Sequence, residues 1–150
     1  MGSKYDLLID EYRKHFQAKN YKEAAKFAKK AIIFDPRRHE AWAMLANLYL
    51  YQNQAPDEAL RILKRAQKYH PKNISLEEVN AYALFKLGSF QDSFTAFQEI
   101  LKAEPDNSTA WDTIDKIYAS DASTRGSIDT LRNRDRKSTR LNSSHRIRSR

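Results

Sequence analysis

The side chains best placed to do chemistry in this chain are two clusters of like charge. Lys26, Lys29 and Lys30 form one, and Arg61, Lys64 and Arg65 repeat it 35 residues later. The i, i+3, i+4 spacing puts each trio on one face of a helix. Two such faces side by side could hold an anion such as RNA, an acidic lipid head group or an acidic protein segment. The series stops at Thr95, Gln98 and Glu99, and an ordinary solvated face would carry the same residues. Other reactive groups are scattered. His15, His39 and His70 stand alone, and His70 suits the C-terminus of a helix better than a metal. The neighbouring acids Glu77 and Glu78 point to different helix sides, which does not suit joint acid–base work. No metal-ligand, phosphate-loop, dinucleotide or nucleophile–base pattern occurs. With no cysteine, there are no disulfides or thiolate ligands. The expectation is a protein that is not an enzyme and needs no metal or cofactor.

The elements that position these residues follow from composition. Hydrophobic residues make up 41% of the 150, enough for the core of one domain. Only three glycines and four prolines interrupt a chain rich in Ala, Leu, Lys, Glu and Gln, which favours helix. No apolar run reaches the roughly 18 residues of a membrane span, and the start lacks a signal peptide's apolar stretch. A cytoplasmic location is expected. The net charge of +8 overstates the basic character of the domain. Six Arg and Lys against one Asp in residues 135–150 supply five of those charges. Residues 135–145, Asp-Arg-Lys-Ser-Thr-Arg-Leu-Asn-Ser-Ser-His, resemble the translation of a common sequencing adapter. Residues 135–150 are therefore read as a non-native, disordered tail without function, the natural chain diverging near Arg134.

Prolines set a rhythm. Pro36, Pro71 and Pro105 each end an apolar, helix-prone run, at spacings of 35 and 34 residues. A proline inside a helix costs about 3 kcal/mol and pushes its predecessor out of the helical region. Evenly spaced stops therefore mark equal units, and a period near 34 is that of a helix–turn–helix repeat. Each unit splits in two. Asn20 with Glu23, Ser75 with Glu78 and Ser89 with Asp92 read as helix starts, and Pro56 suits a first helical turn.

The second unit resembles the tetratricopeptide repeat: Trp42, Leu45, Ala46 and Tyr49, then Ala59, Leu63, Ala66 and Pro71. The first offers Leu8, Tyr21, Ala24, Ala28, Ala31 and Pro36, and the third Leu84, Gly88, Phe90, Ser93, Phe97, Ile100 and Pro105. The resemblance implies an all-α, right-handed superhelix: three repeats at about 5–38, 39–73 and 74–107, plus a C-terminal cap helix at 108–119. Ala24, Ala59 and Ser93 would mark the closest helix approach, faced by Ala46 and Ala81. Glu11 and Tyr12 depart from the pattern, so the first unit should pack irregularly. Asp115 stands where a small residue belongs, which argues against a tightly packed helix after the cap. Residues 120–134 read as a linker.

The same resemblance implies a concave groove lined by the first helix of each unit. Its positions fall on Ile9, Asp10, Arg13 and Phe16; on Ala43, Met44, Asn47, Leu50 and Tyr51; on Glu78, Val79, Tyr82, Phe85 and Lys86; and on Asp112, Thr113 and Lys116. Asn47, Tyr51, Tyr82 and Phe85 are the sharpest candidates, because aromatics give contact area at low entropic cost and Asn pairs with a peptide backbone. Some relatives in this family clamp the C-terminal carboxylate of heat-shock proteins with Lys, Asn and Arg. Here those positions hold Ile9, Met44, Ser75 and Val79, so such tails are not the expected partner. The expected function is an adaptor or scaffold that binds a peptide segment of a protein partner. The alternatives are anion or RNA binding through the basic trios, or an N-terminal fragment of a larger protein of the same kind.

Overall fold

A computed structural model of the protein describes the backbone of residues 2–148 and the side chains of residues 2–140. Helices follow one another in hairpins: α1 (Lys4–Gln17) with α2 (Tyr21–Phe34), then α3 (His39–Asn47), which runs through a π-helical turn (Leu48–Gln52) before α4 (Pro56–Ala66). Next come α5 (Ile74–Lys86) with α6 (Phe90–Ala103), and α7 (Ser108–Ser120), a short 3-10 turn (Ala122–Thr124) and α8 (Arg125–Arg148). No strand occurs among the described residues. The chain is an all-α solenoid, and its first three hairpins match the expected repeats.

Local chemistry sets the helix ends. Ser3 and Asp6 open α1 with reciprocal bonds, each at 3.2 Å. The Ser3 backbone N–H and hydroxyl hold the Asp6 carboxyl below its usual range. Asn73 and Asn107 cap α5 and α7 by accepting from the Leu76 and Ala110 N–H groups at 3.1 and 2.8 Å. The expected Ser75 start is therefore displaced: Ser75 lies inside α5, and the longer Asn73 side chain reaches the free N–H. Asn20 and Ser89 hold their cap positions without a side-chain bond. Each first helix of the three repeats ends on a left-handed residue: Lys19 at φ 61°, Gln54 at φ 50° and Gly88 at φ 79°.

Small side chains let the helices touch. Ala24, Ala59 and Ser93 are fully buried, as are Ala46 and Ala81 on the facing helices. Ser93 also donates its hydroxyl proton to the Ala81 carbonyl at 2.7 Å, so its polar atom is satisfied in the contact. Tyr12 takes the place of Ala46 and Ala81 in the first unit. Its ring is buried, and its hydroxyl donates across to the Met44 carbonyl at 3.2 Å. Two tryptophans lock their units to the preceding proline turn. Trp42 Nε1 donates to the Pro36 carbonyl at 2.8 Å, and Trp111 Nε1 to the Pro105 carbonyl at 2.9 Å. Trp42, Leu45, Tyr49, Leu63, Phe94 and Phe97 are core residues, as expected.

The C-terminal segment differs from expectation. Residues 120–134 are not a linker but the 3-10 turn and the start of α8. Thr124 and Ile128 are fully buried, and Leu131 packs on the core cluster beneath them. That i, i+4, i+7 stripe is enough to seat a helix. Asp115 does not prevent it, because its carboxylate stays exposed and pairs with the Arg132 guanidinium of α8. The helix runs on through residue 148, where a disordered tail is expected; side chains 135–140 are exposed. The last tail residues, 149–150, lie outside the described residues.

Two measurements test this packing. Trp42 is 2% exposed, so Trp42→Ala should cost roughly 3–5 kcal/mol in urea denaturation; a midpoint barely displaced would remove it from the core. Burial pushes the Tyr12 phenol up to about 12 from its ordinary 10.0. A raised value in the folded state means that this stabilisation is complete below pH 10 and lost as pH climbs towards 12. Denaturation series in that window should show Tyr12→Phe losing less stability with pH than the parent chain.

Candidate functional site

The first helices present one face away from their partners, and the expected groove positions sort themselves along it. Ile9, Leu50 and Thr113 are buried and offer nothing to a ligand. Arg13 is exposed and lies 3.6 Å from Asp10. Phe16 is half-buried, stacked on Tyr12 at 5.7 Å and edge-on to Tyr21 at 5.4 Å, so it fills the first hairpin. Neither Arg13 nor Phe16 joins the other candidates. Asn47 is half-buried at the end of α3, and its side chain bonds to no other described residue.

Tyr51, Tyr82 and Phe85 do come together. Tyr51 stacks on Tyr82, Tyr82 meets Phe85, and Phe85 meets Phe90, each pair with ring centroids 5.7 Å apart. Lys116 Nζ of α7 sits 5.7 Å from the Tyr82 ring, a cation–π arrangement, and Lys86 flanks Tyr51 across a shallow gap. Burial raises the Tyr51 hydroxyl above its ordinary range, with Tyr82 and Glu78 adding to the shift. Sequence reasoning did not place Phe90 in this set. Its signal was present: Phe90 opens α6 as Tyr21 opens α2, and Phe85 meets it as Phe16 meets Tyr21.

The exposure of Tyr51 has a local cause. Pro56 opens α4 where Tyr21 and Phe90 open the other second helices, so no ring covers Tyr51 within its own unit. A gap of about 370 Å3 remains, lined by Leu50, Tyr51, Gln54, Pro56 and Lys86. Tyr51 is 53% exposed and leans on Tyr82 of the following unit instead. The π turn lies at the same spot. Units two and three stand 35 residues apart at Pro36 and Pro71 but 34 apart at Gln54 and Gly88, so unit two holds one extra residue before its turn. The Asn53 N–H donates to the Leu48 carbonyl, five residues back, at 3.1 Å, which widens the helix and absorbs that residue.

The basic trios are where the pattern puts them: all six side chains are exposed on α2 and α4. Several have partners. Lys26 pairs with Glu23 at 2.8 Å and Arg61 with Asp57 at 3.2 Å. Lys29, Lys30 and Arg65 lie over the rings of Tyr49, Phe27 and Trp42 at 6.0, 5.0 and 5.9 Å. Much of this charge covers the protein's own surface, as a solvated face does. Among the described residues no three His, Asp or Glu side chains converge on a metal position, and no helix is long and apolar enough to cross a membrane. His70 Nε2 lies 3.2 Å from the Pro36 carbonyl, shared with the Trp42 indole.

Helical hairpins of one length, stacked with small residues at each contact, define a helical repeat protein. Residues 15–74 match the tetratricopeptide repeat family. Solved structures with this fold include the first tetratricopeptide domain of human RPAP3, 21% identical with a TM-score of 0.71, covering 82% of this chain and 96% of that one. The Arabidopsis OM64 domain is 17% identical with a TM-score of 0.69, covering 78% and 96%. The first such domain of Spaghetti (RPAP3), bound to an HSP90 peptide, is 20% identical with a TM-score of 0.70, covering 78% and 92%. At these identities the likeness is one of fold. Among curated proteins, no sequence matches the chain.

The left-handed turn residue beside Tyr51 provides a test. A residue with a Cβ at φ 50° is strained by about 1–2 kcal/mol, less glycine's own entropic cost. Gln54→Gly should therefore raise stability by up to about 1 kcal/mol in urea denaturation, and a loss of stability would mean that the turn is held by the Gln54 side chain.

Proposed function

We propose that the chain is a protein-interaction module whose groove takes an extended peptide segment of a partner protein. The supporting observation is the aromatic row Tyr51, Tyr82, Phe85 and Phe90, open at Tyr51 and edged by Lys86 and Lys116. Aromatic rings bury contact area while few torsions freeze, and Asn47 offers an amide for the peptide backbone. The lysines favour a segment that carries acidic residues around an apolar anchor. Solved domains of the same fold hold peptides: the first domain of Spaghetti an HSP90 peptide, SRMEEVD, and the second domain of human RPAP3 an HSP70 peptide, SGPTIEEVD.

This groove does not suit a grip on a terminal carboxylate. Ile9, Met44, Ser75 and Val79 stand at the expected clamp positions, none carries a charge, and Ile9 is buried. An internal segment needs no such clamp. Binding would rest on the aromatic row.

The test is capture of partner peptides from a random acidic–aromatic library, read by calorimetry on the parent chain and two variants. Tyr51→Ala removes the most exposed ring with little packing loss, and Tyr82→Ala/Phe85→Ala removes the centre of the row. Each should weaken a captured peptide at least about tenfold, the loss of 1.4 kcal/mol or more typical of an anchor residue. A peptide ending in Glu-Glu-Val-Asp should show no saturable binding. Full-strength binding by folded variants, checked by helical circular dichroism, would refute the groove assignment.

A further inference from the structure

A second opening lies between α4 and α5, on the side of α5 opposite the groove. At about 100° per residue, Glu77, Asn80 and Leu84 share one face of α5, and Glu78, Tyr82 and Phe85 share the other. The corresponding face of α3 carries Trp42, Leu45 and Tyr49, and that of α7 carries Trp111, Ile114 and Tyr118, whereas that of α1 carries Leu8, Glu11 and His15. The third unit has therefore exchanged Trp for Glu, an apolar residue for Asn and Tyr for Leu along a single stripe. Where Trp42 and Leu45 are buried, Glu77 and Asn80 are only half-covered. A cleft of about 380 Å3 remains, walled by Leu60 and Leu63 of α4 and by Leu76 and Leu84 of α5, with Lys64, Gln67, His70, Glu77 and Asn80 as its polar edge. Small-ligand sites begin at about 300 Å3.

Units two and four show what such a slot can hold. In unit two the indole N–H reaches Pro36, with the Arg65 guanidinium above the ring and Tyr69 stacked on it at 6.0 Å. In unit four Trp111 bonds to Pro105 in the same way. One period on from Arg65 and Tyr69, the chain places Glu99 and Ala103, which cannot fill the space. Pro71, the counterpart of Pro36 and Pro105, lines the cleft with no indole beside it. The Glu77 and Asn80 side chains bond to no other described residue, and burial, then the Glu99 charge, raises the Glu77 carboxyl above its ordinary range. Apolar walls and polar edge groups are in place, and the ring that fills the counterpart position in units two and four is missing.

We infer that the α4–α5 cleft receives a tryptophan side chain from a partner protein, its ring between the leucine walls and its indole N–H directed to Glu77 or to the Pro71 carbonyl. An indole is favoured over a plain hydrocarbon ring because the Trp42 and Trp111 N–H groups reach the Pro36 and Pro105 carbonyls, the counterparts of Pro71. This site and the groove lie on opposite faces of α5, so one partner could bridge both or two could bind together.

The probe is N-acetyl-tryptophanamide, titrated against the full chain by NMR with the leucine methyl groups and the Asn80 side-chain amide as reporters. N-acetyl-phenylalaninamide, free indole and the peptide Gly-Gly-Trp-Gly-Gly run beside it. Saturable millimolar shifts confined to Leu60, Leu63, Leu76, Leu84 and Asn80 are expected for both tryptophan probes. The phenylalanine probe should bind at least about threefold more weakly, since its ring has no N–H for the Pro71 carbonyl or the Glu77 carboxylate. Glu77→Trp fills the slot from within, should weaken the tryptophan probes at least about tenfold, and should raise the melting temperature. If Glu77→Trp fails to fold, Leu84→Tyr closes the same cleft from its other end and serves the same comparison. No localised shift, equal binding of the phenylalanine probe, or unchanged binding in a folded, filled variant would overturn the inference. Binding of free indole without the peptide would overturn the partner residue in favour of a small molecule.

Discussion

Two helices can approach only as closely as the side chains between them permit, and in this protein that limit is set by a few alanines and one serine. Ala24, Ala46, Ala59, Ala81 and Ser93 are all fully buried where helices meet. A methyl group leaves room for backbone near backbone, and larger neighbours such as Leu45, Phe94 and Phe97 fill the flanks. Repeating that contact at a fixed period forces hairpins to stack in one direction. The groove, the outer ridges and the turn positions all follow from it. Tyr12 shows how one unit escapes: a large residue stands at the contact, and its hydroxyl bonds to the Met44 carbonyl of the next hairpin. The first unit is therefore tied forward along the solenoid as well as across its own hairpin.

The fold was legible because its signals are redundant. Proline spacing and small residues at the helix contacts each mark the same period, and an error in one would be corrected by the other. Helix starts were less legible. Ser75 and Asn73 both suit an N-cap, and only the chain path decides that Asn73 reaches the free N–H. The C-terminal helix was misread for a related reason. Ser120 to Ser127 holds Ser, Asp, Thr and Gly in the proportions of a loop, and its apolar content is confined to a sparse stripe. Thr124, Ile128 and Leu131 suffice because Ile114 and Ile117 already present an apolar surface to receive them. That surface is a tertiary fact, which local composition does not contain.

The groove was legible in part. Tyr51, Tyr82 and Phe85 can be assigned to one face from the period alone, but their contacts depend on what is absent nearby. Pro56 replaces an aromatic ring, and the π turn absorbs one added residue, so Tyr51 turns to the following unit for its stacking partner. Phe16 occupies the equivalent place in the first hairpin and is covered by Tyr21. Two aromatics in the same repeat position thus have different exposure, and the difference comes from a residue five places on. A position-by-position transfer from the family pattern treats them alike.

Unit three extends this reasoning to a whole helix face. The inner face of α5 keeps aromatic residues, whereas its outer face has lost the tryptophan, the central apolar residue and the tyrosine that unit two retains. Within α5, Leu76 and Ala83 pack into the core of the first two units and Ala81 into that of the last, with Tyr82 against both. A carboxylate in place of the indole gives that face a different physical character from its counterparts in units two and four. A helix that must hold the solenoid together at Ala81 and Ser93 can spare the outer stripe, because the close contact carries the stacking and the stripe only fills the space beside it. The third unit is therefore the place where this fold can open a second binding face without losing its period.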